Sequence, residues 1–443
     1  MRPTTGILNR AGTTELIAPP ARPFNPHRRC ASNGIRVVVQ EVLKLLGGYE
    51  FYYKIRRRKR STAVQAIYET TVEAIVCDLI WRELEIPGGR VHVTQSNQVL
   101  HKRSRYKGVA LGKTLPDILK VMAAEEMGFV VITPGQSKYT IKDETLTVAV
   151  SGKQTSLAAG RKILRRIEQL GLSLADIGRS PDEETIILRG PKLRDDKPGK
   201  HIEYTDTEQT TTHRQQLQVI NEWLDQANIE CNIPGIDLHD RCLKRIFNNA
   251  DFTQGGRLYG GFWQRLKHSE RLESIILDDD SVVELDYGQV GLLLLYGLEG
   301  GKPPEGDLYD LSEYGIPTSC RPGIKKVIQA AINASKPLGR LPKGARKTIP
   351  KRILLADILA AVGKRHPLVV HRFGVAVGMQ LMFKEADILV GVLLALKDRN
   401  ISALPIHDAV LVNGNFYEEA QEIMIRVFRE KVGLTPEVSV EHP

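Results

Sequence analysis

Cysteines, long apolar runs and N-terminal acids are all in short supply in this chain, and each shortage removes a class of protein. The five cysteines, Cys30, Cys77, Cys231, Cys242 and Cys320, are scattered and odd in number, which excludes a disulfide framework and points to reduced thiols in a cytoplasmic protein. Cys231, His239 and Cys242 lie close in sequence, but their spacing matches no zinc pattern and lacks a fourth ligand. No run approaches the roughly 18–20 apolar residues of a membrane span, so no membrane partner is expected. Residues 1–34 are poor in acids and rich in Pro, Arg and Thr. An organellar transit peptide shares some of that composition, yet Pro19, Pro20, Pro23 and Pro26 argue against an amphipathic helix and favour a flexible arm.

What is present is length, apolar content and positive charge. With 443 residues, 42% of them apolar, the chain has ample core for two or three domains. Its net charge of +10 and pI near 9.2 suit a polyanionic partner.

Residues 281–300, SVVELDYGQVGLLLLYGLEG, read as a core strand running into a carboxylate and then a Leu-rich helix. Asp286 falls at the carboxyl end of that strand; taken alone it is a helix cap. Residues 401–412, ISALPIHDAVLV, read as a hairpin with His407 and Asp408 at its tip, flanked by apolar strands that place the tip over a sheet. Two carboxylates on neighbouring strands can hold a pair of Mg²⁺ ions about 3.5–4 Å apart, the arrangement that steadies both oxygens in phosphoryl transfer. Between them lies RPGIKKVIQAAINAS, a helix with Pro322 at its start. Arg321, Lys325 and Gln329 share one face of it near the positive end of the helix dipole, which suits a triphosphate; the alternative is a solvated basic helix end.

Strand-Asp, Arg-x-x-x-Lys helix and His-Asp hairpin, in that order, resemble motifs A, B and C of the family A polymerases, which include bacterial repair DNA polymerases and phage single-subunit RNA polymerases. DYGQVGLLLLYGL resembles that family's DYSQIELRVLAHL, and TQGGRLY at 253–259 resembles the T-x-x-G-R-L segment that touches the primer–template duplex. The resemblance covers about residues 238–443. It implies a right-hand α+β polymerase: an antiparallel palm sheet with small helical fingers, preceded by an α+β N-terminal region. It further implies two Mg²⁺ ions, with Mn²⁺ as a substitute, held by Asp286 and Asp408. Arg321 and Lys325 would hold the triphosphate, Lys325 would act on departing pyrophosphate, and His407 would support the primer end. Arg257 and Arg271 would contact nucleic acid.

The departures bear on the sugar. Gly291 stands where the family's DNA polymerases carry a Glu that blocks the 2′-hydroxyl, and the RNA polymerases also have Gly there. Removing that clash makes ribonucleotide use plausible. Asn333-Ala334 replaces the family's Tyr-Gly, Gln329 replaces an apolar or aromatic residue, and Ala409 stands where an acid often follows the motif C Asp. Nucleotide contacts are therefore assigned to Arg321, Lys325, Gln329, Gly291, Tyr287 and Asn333. The expected activity is a template-directed nucleotidyltransferase making RNA or primers. A DNA polymerase and a catalytically degenerate DNA-binding replication scaffold are the alternatives, and no proofreading nuclease is expected. The partners would be a DNA template, nucleoside triphosphates and a helicase or other replication proteins. The compactness is shared with proteins of phage and mobile elements.

Ahead of the palm, expected at 213–443, the chain reads as an arm and short helix (1–60) and a nucleic-acid-binding region (61–205) of winged-helix or related form. YEFYYKIRRRKRS at 49–61 sets basic residues beside aromatics, which suits phosphates and stacked bases, or alternatively a charged face over buried rings. HKRSRYK at 101–107 is a second basic cluster. Helices are expected at 35–47, 61–84, 114–127 and 156–170, a strand at 128–133, and a hairpin through 140–150. A basic loop, RGPKLRDDKPGK, is expected as a wing between strands at 184–188 and 201–204, TDTEQTTT at 205–212 as a linker, and 237–248 as a helix.

Overall fold

The computed structural model describes residues 21–56, 58–142, 146–192, 197–234 and 236–443, with side chains at 137–142 and 146–151 left aside. Two compact units emerge, Met1–Glu183 and Glu184–Pro443. No helix among the described residues is long and apolar enough to cross a membrane.

In the first unit the helix Asn33–Tyr52 packs Ile35, Val38, Val42 and Leu46 inward. It runs on through Gly47 and Gly48, because this apolar stripe outweighs the roughly 1 kcal/mol per residue that glycine costs a helix. The helix Thr62–Glu85 is buried along Thr71–Arg82 rather than amphipathic. Arg28 lies over Trp81 at 3.4 Å, and Arg22 pairs with the buried Asp78 at 2.7 Å. Part of the expected arm is therefore structured: Arg22–Pro23 runs parallel to Val91–His92, and Arg28–Cys30 antiparallel to Ile177–Arg179. Residues 1–20 of that arm lie outside the described residues. The stretch expected as one helix at 156–170 is a strand, Ser156–Ala159, followed by the helix Arg161–Leu170. Gly160 divides them: a Cβ there would stand 2.5 Å from the Gly128 carbonyl oxygen. The expected hairpin is present as Gln136–Lys142 and Leu146–Lys153.

The second unit is α+β and carries a curled antiparallel sheet. Its central strand, Asp280–Tyr287, pairs with Ile275–Leu277 at its start, with Ala409–Asn413 along one edge and with Val438–Glu441 along the other. Ile229–Cys231 and Ala403–Ile406 extend the two sides. A smaller sheet sets Lys244–Asn248 between Asp251–Tyr259, antiparallel, and Ile186–Leu188, parallel. Two expectations give way here. Residues 186–188 belong to this sheet and not to an N-terminal wing, and 244–248 is a strand in which Arg245 and Phe247 alternate inward. The Thr-rich run is no free linker either, since Thr207 caps the helix Glu208–Gln226 by accepting from the Thr210 amide.

Helices back the main sheet, and period-two alternation decides which side chains meet them. Tyr287 points into that core: it is buried, its hydroxyl donates to the Met424 carbonyl at 2.7 Å, and its ring meets Phe428 at 5.2 Å. Glu284 and Asp286 therefore take the opposite face. Among the described residues between the central strand and the hairpin, Val290–Leu298 follows the strand directly and Gly378–Asp398 leads into the hairpin, with Arg321–Asn333 and Leu355–Arg365 between them; these last two form the small helical insert expected.

Candidate active site

Register brings the two aspartates together. Asp286 sits opposite Ala409, the residue after Asp408. The hairpin pairs Ile406 with Ala409, so His407 and Asp408 alone form its turn. His407 has φ +56, a left-handed conformation usual for glycine. Holding a non-glycine residue there costs about 1–2 kcal/mol. The turn is supported from below, where the buried Trp263 indole and the Gln264 amide both donate to the Pro405 carbonyl, at 2.9 and 3.0 Å. The His407 ring meets Tyr259 edge-on at 5.9 Å.

Burial, reinforced by Asp408 and Glu284, pushes the Asp286 carboxyl up to about 6, against the pull of Lys325. One Asp286 oxygen, Oδ1, is buried without a hydrogen-bond partner. An orphaned carboxylate oxygen beside other carboxylates is a ready place for a hard cation. Among the described residues no group of three or more His, Cys, Asp or Glu side chains forms a metal cage. Two carboxylates with substrate phosphates completing the shell are the usual Mg²⁺ arrangement, so the donor set fits.

The helix Arg321–Asn333 presents Arg321, Lys325, Gln329 and Asn333 as an exposed row, while Ile324, Val327, Ile328 and Ile332 face inward. The row is anchored by residues that sequence reading passed over. Arg321 forms an ion pair with Asp307, and its guanidinium lies 5.5 Å from the Tyr309 ring centroid, with the Lys325 ammonium at 6.0 Å. Burial pushes the Asp307 carboxyl up, but the Arg321 contact outweighs it and holds the group below its usual range. Burial lifts the Tyr309 hydroxyl to about 12, with Asp307 and Asp408 adding to the rise. Gln289, at φ +58, accepts from the Leu308 amide at 2.6 Å and so ties this segment to the turn after Asp286. Gly291 faces the same helix: a Cβ there would meet only Ile332, at 3.9 Å. Asn333 donates to the Gln329 carbonyl at 2.7 Å.

Arg257 is aimed by a bulge. Register slips between Ile246 and Phe247, and Gly255 and Gly256 both take positive φ, at +83 and +78. At φ +83 Gly255 takes a backbone conformation that side-chain-bearing residues rarely adopt, which is why glycine stands there. Arg257 then reaches the helix Gly378–Asp398 and grips Glu385 with Nη2 at 2.5 Å and Nε at 2.7 Å. Burial pushes the Glu385 carboxyl up to about 7; repulsion from Asp408 and Asp286 acts in the same sense, and together these outweigh Arg257. Glu385 is thus a third carboxylate in the field of the two aspartates. In sequence it is one of several charges in this helix, beside Lys384 and Asp387, and nothing local singles it out. Arg271 is placed differently from the other basic candidates: it is buried and paired with Glu284 on the central strand at 3.0 Å. Tyr287, facing the core, is off the Asp286 face.

No family model matches the chain, and no curated protein does. Among solved structures the chain is similar to the POL domain of Pol1 from M. smegmatis in complex with DNA primer-template and dNTP. The identity is 12%, over 52% of this chain and 51% of that one, with a TM-score of 0.32. The chain therefore spans about half the length of that polymerase domain. A likeness at that level carries no conclusion about chemistry, which rests on the side chains.

Proposed function

We propose that the second unit is a template-directed nucleotidyltransferase, using ribonucleoside triphosphates to make RNA or primers on a DNA template. The observation that carries this is the pairing of Asp286, with its buried and unpartnered oxygen, beside Asp408, in front of the Arg321–Lys325 row. Bound Mg²⁺, or Mn²⁺ in its place, would supply charge neutralisation at the attacking and departing oxygens. Asp286 and Asp408 would hold it, because both present carboxylate oxygens at the strand ends.

The remaining work falls to the chain's own groups. Arg321, released from Asp307, and Lys325 bind the triphosphate through charge-assisted hydrogen bonds. A 3′-hydroxyl, from a primer or a first nucleotide, attacks the α-phosphorus and gives up its proton to solvent water; the bond from the α-phosphorus to the α–β bridging oxygen breaks and pyrophosphate leaves. Lys325 is placed to give that departing oxygen a proton. Tyr309 packs beneath both cations and fixes their direction. Glu385 is a positioning residue that orients Arg257 toward the nucleic-acid backbone. The Gly291 position, open to Ile332, leaves space for a 2′-hydroxyl.

The test supplies the full-length protein with Mg²⁺ and a single-stranded DNA template, with or without an annealed primer, and with either rNTPs or dNTPs. Products from rNTPs are expected. Extension with dNTPs alone, and only from a primer, would make it a DNA polymerase. No product from either would leave a nucleic-acid-binding scaffold.

A further inference from the structure

The first unit carries a surface that the catalytic reading does not use. At the end of the helix Asn33–Tyr52, Phe51 is 86% exposed and Tyr52 77%, while Tyr53 and Ile55 are about half exposed. Aromatic side chains of this size normally supply 150–250 Å² of buried area each, so two rings left in water at one helix end call for an occupant. The rings are ordered among themselves. Tyr53 packs against Tyr49 at 4.4 Å and edge-on to Tyr52 at 5.0 Å, and its hydroxyl donates to Glu126 at 3.2 Å.

Apart from Glu126, which Tyr53 engages, the charge close to the rings in sequence is mostly positive. Lys54, Arg56, Arg58 and Lys59 are all exposed within a few residues of them. The one acid of the stretch, Glu50, is held by Arg60 at 2.5 Å, and Arg60 in turn lies 3.6 Å over Tyr68. Nothing acidic in residues 49–60 is left to offset these four cations.

Open ring faces beside a run of cations fit one kind of partner. We infer that Phe51, Tyr52, Lys54, Arg56 and Arg58 form a binding site for single-stranded nucleic acid, with bases stacking on the two rings and phosphates running along the three cations. Stacking on aromatics tolerates any base but needs an unpaired one. A duplex hides its base faces and would meet only the cations. An apolar protein partner would cover the rings and leave the cations without counter-charges.

The test uses the full-length protein in EDTA without nucleotides, so that it does not depend on the catalytic proposal. Fluorescence anisotropy compares a labelled oligothymidylate with a labelled duplex hairpin at about 0.1 M salt. Phe51→Ala/Tyr52→Ala is expected to weaken oligothymidylate binding about tenfold or more, and duplex binding less than about twofold. Phe51→Trp/Tyr52→Trp should bind the oligothymidylate as the wild type does. Lys54→Gln/Arg56→Gln/Arg58→Gln should lower the slope of log affinity against log salt by about 2. Unchanged oligothymidylate binding by the alanine variant would overturn the proposal. So would equal loss on duplex and single strand, or loss in the tryptophan variant as well. Self-association that the alanine variant abolishes, with oligothymidylate binding unchanged, would assign the rings to a protein contact instead.

Discussion

Replacing Asp286 by Asn should make the metal-free protein more stable while removing its chemistry. Burial and the neighbouring carboxylates raise this carboxyl from 3.8 to about 6. The folded state therefore holds the proton more tightly than the unfolded chain does. Stability is lost as pH rises from about 4 to about 6, and the deficit persists above that. A shift of this size corresponds to about 3 kcal/mol, reduced to about 1–2 kcal/mol because the group is partly exposed and screened. For a unit of this length that is a rise of about 3–6 °C in Tm. Thermal unfolding in EDTA at about pH 8 should show Asp286→Asn melting above the wild type, and at about pH 4 the gap should nearly close. Added Mg²⁺ should raise the wild-type Tm and leave the variant nearly unmoved, since ligand binding stabilises only the form that binds it. A variant less stable than the wild type at the higher pH, or a gap independent of pH, would refute the electrostatic account of the site.

Glu385→Gln keeps the shape of the Arg257 contact and removes its charge. Incorporation should fall about tenfold at pH values above 7. The difference should shrink toward pH 6, where the wild-type carboxyl, lifted to about 7, is itself protonated; a pH–rate profile checks this. Gly291→Glu should depress ribonucleotide use more than deoxyribonucleotide use in paired steady-state assays. Gly291→Ala should fold normally, since its Cβ would meet only Ile332 at 3.9 Å. Arg271→Met leaves Glu284 buried without its partner and should cost about 3 kcal/mol or more, read from the denaturant midpoint; an unchanged midpoint would mean that the pair contributes nothing.

The central strand and the hairpin were legible because each writes its geometry locally. A largely apolar run, Val282–Leu285 apart from Glu284, leads into Asp286, and two polar residues separate apolar strands at His407–Asp408. The row Arg321, Lys325, Gln329 follows from helical spacing alone. Contacts that join distant segments were not legible. Arg257 and Glu385 are 128 residues apart in sequence, and nothing local in either predicts the other. Asp307 and Tyr309 lie in irregular chain whose path depends on Gln289 reaching the Leu308 amide.

Secondary structure failed where a charge occupies an inward position. The strand Lys244–Asn248 buries Arg245 fully, its guanidinium 3.0 Å from the His213 ring and from the Gly256 carbonyl oxygen. An arginine there hides the period-two pattern and makes the segment read as a basic helix. The place of Tyr287 beside Asp286 suggests a nucleotide contact, yet strand alternation turns it to the opposite face.

The most direct measurement compares Asp408→Ala with the wild type in two readouts on the same preparation: nucleotide incorporation in Mg²⁺, and binding of the primed DNA template. The account predicts that incorporation is lost and that template affinity stays within about twofold. Synthesis retained by Asp408→Ala would contradict the assignment of the paired aspartates as the reacting centre.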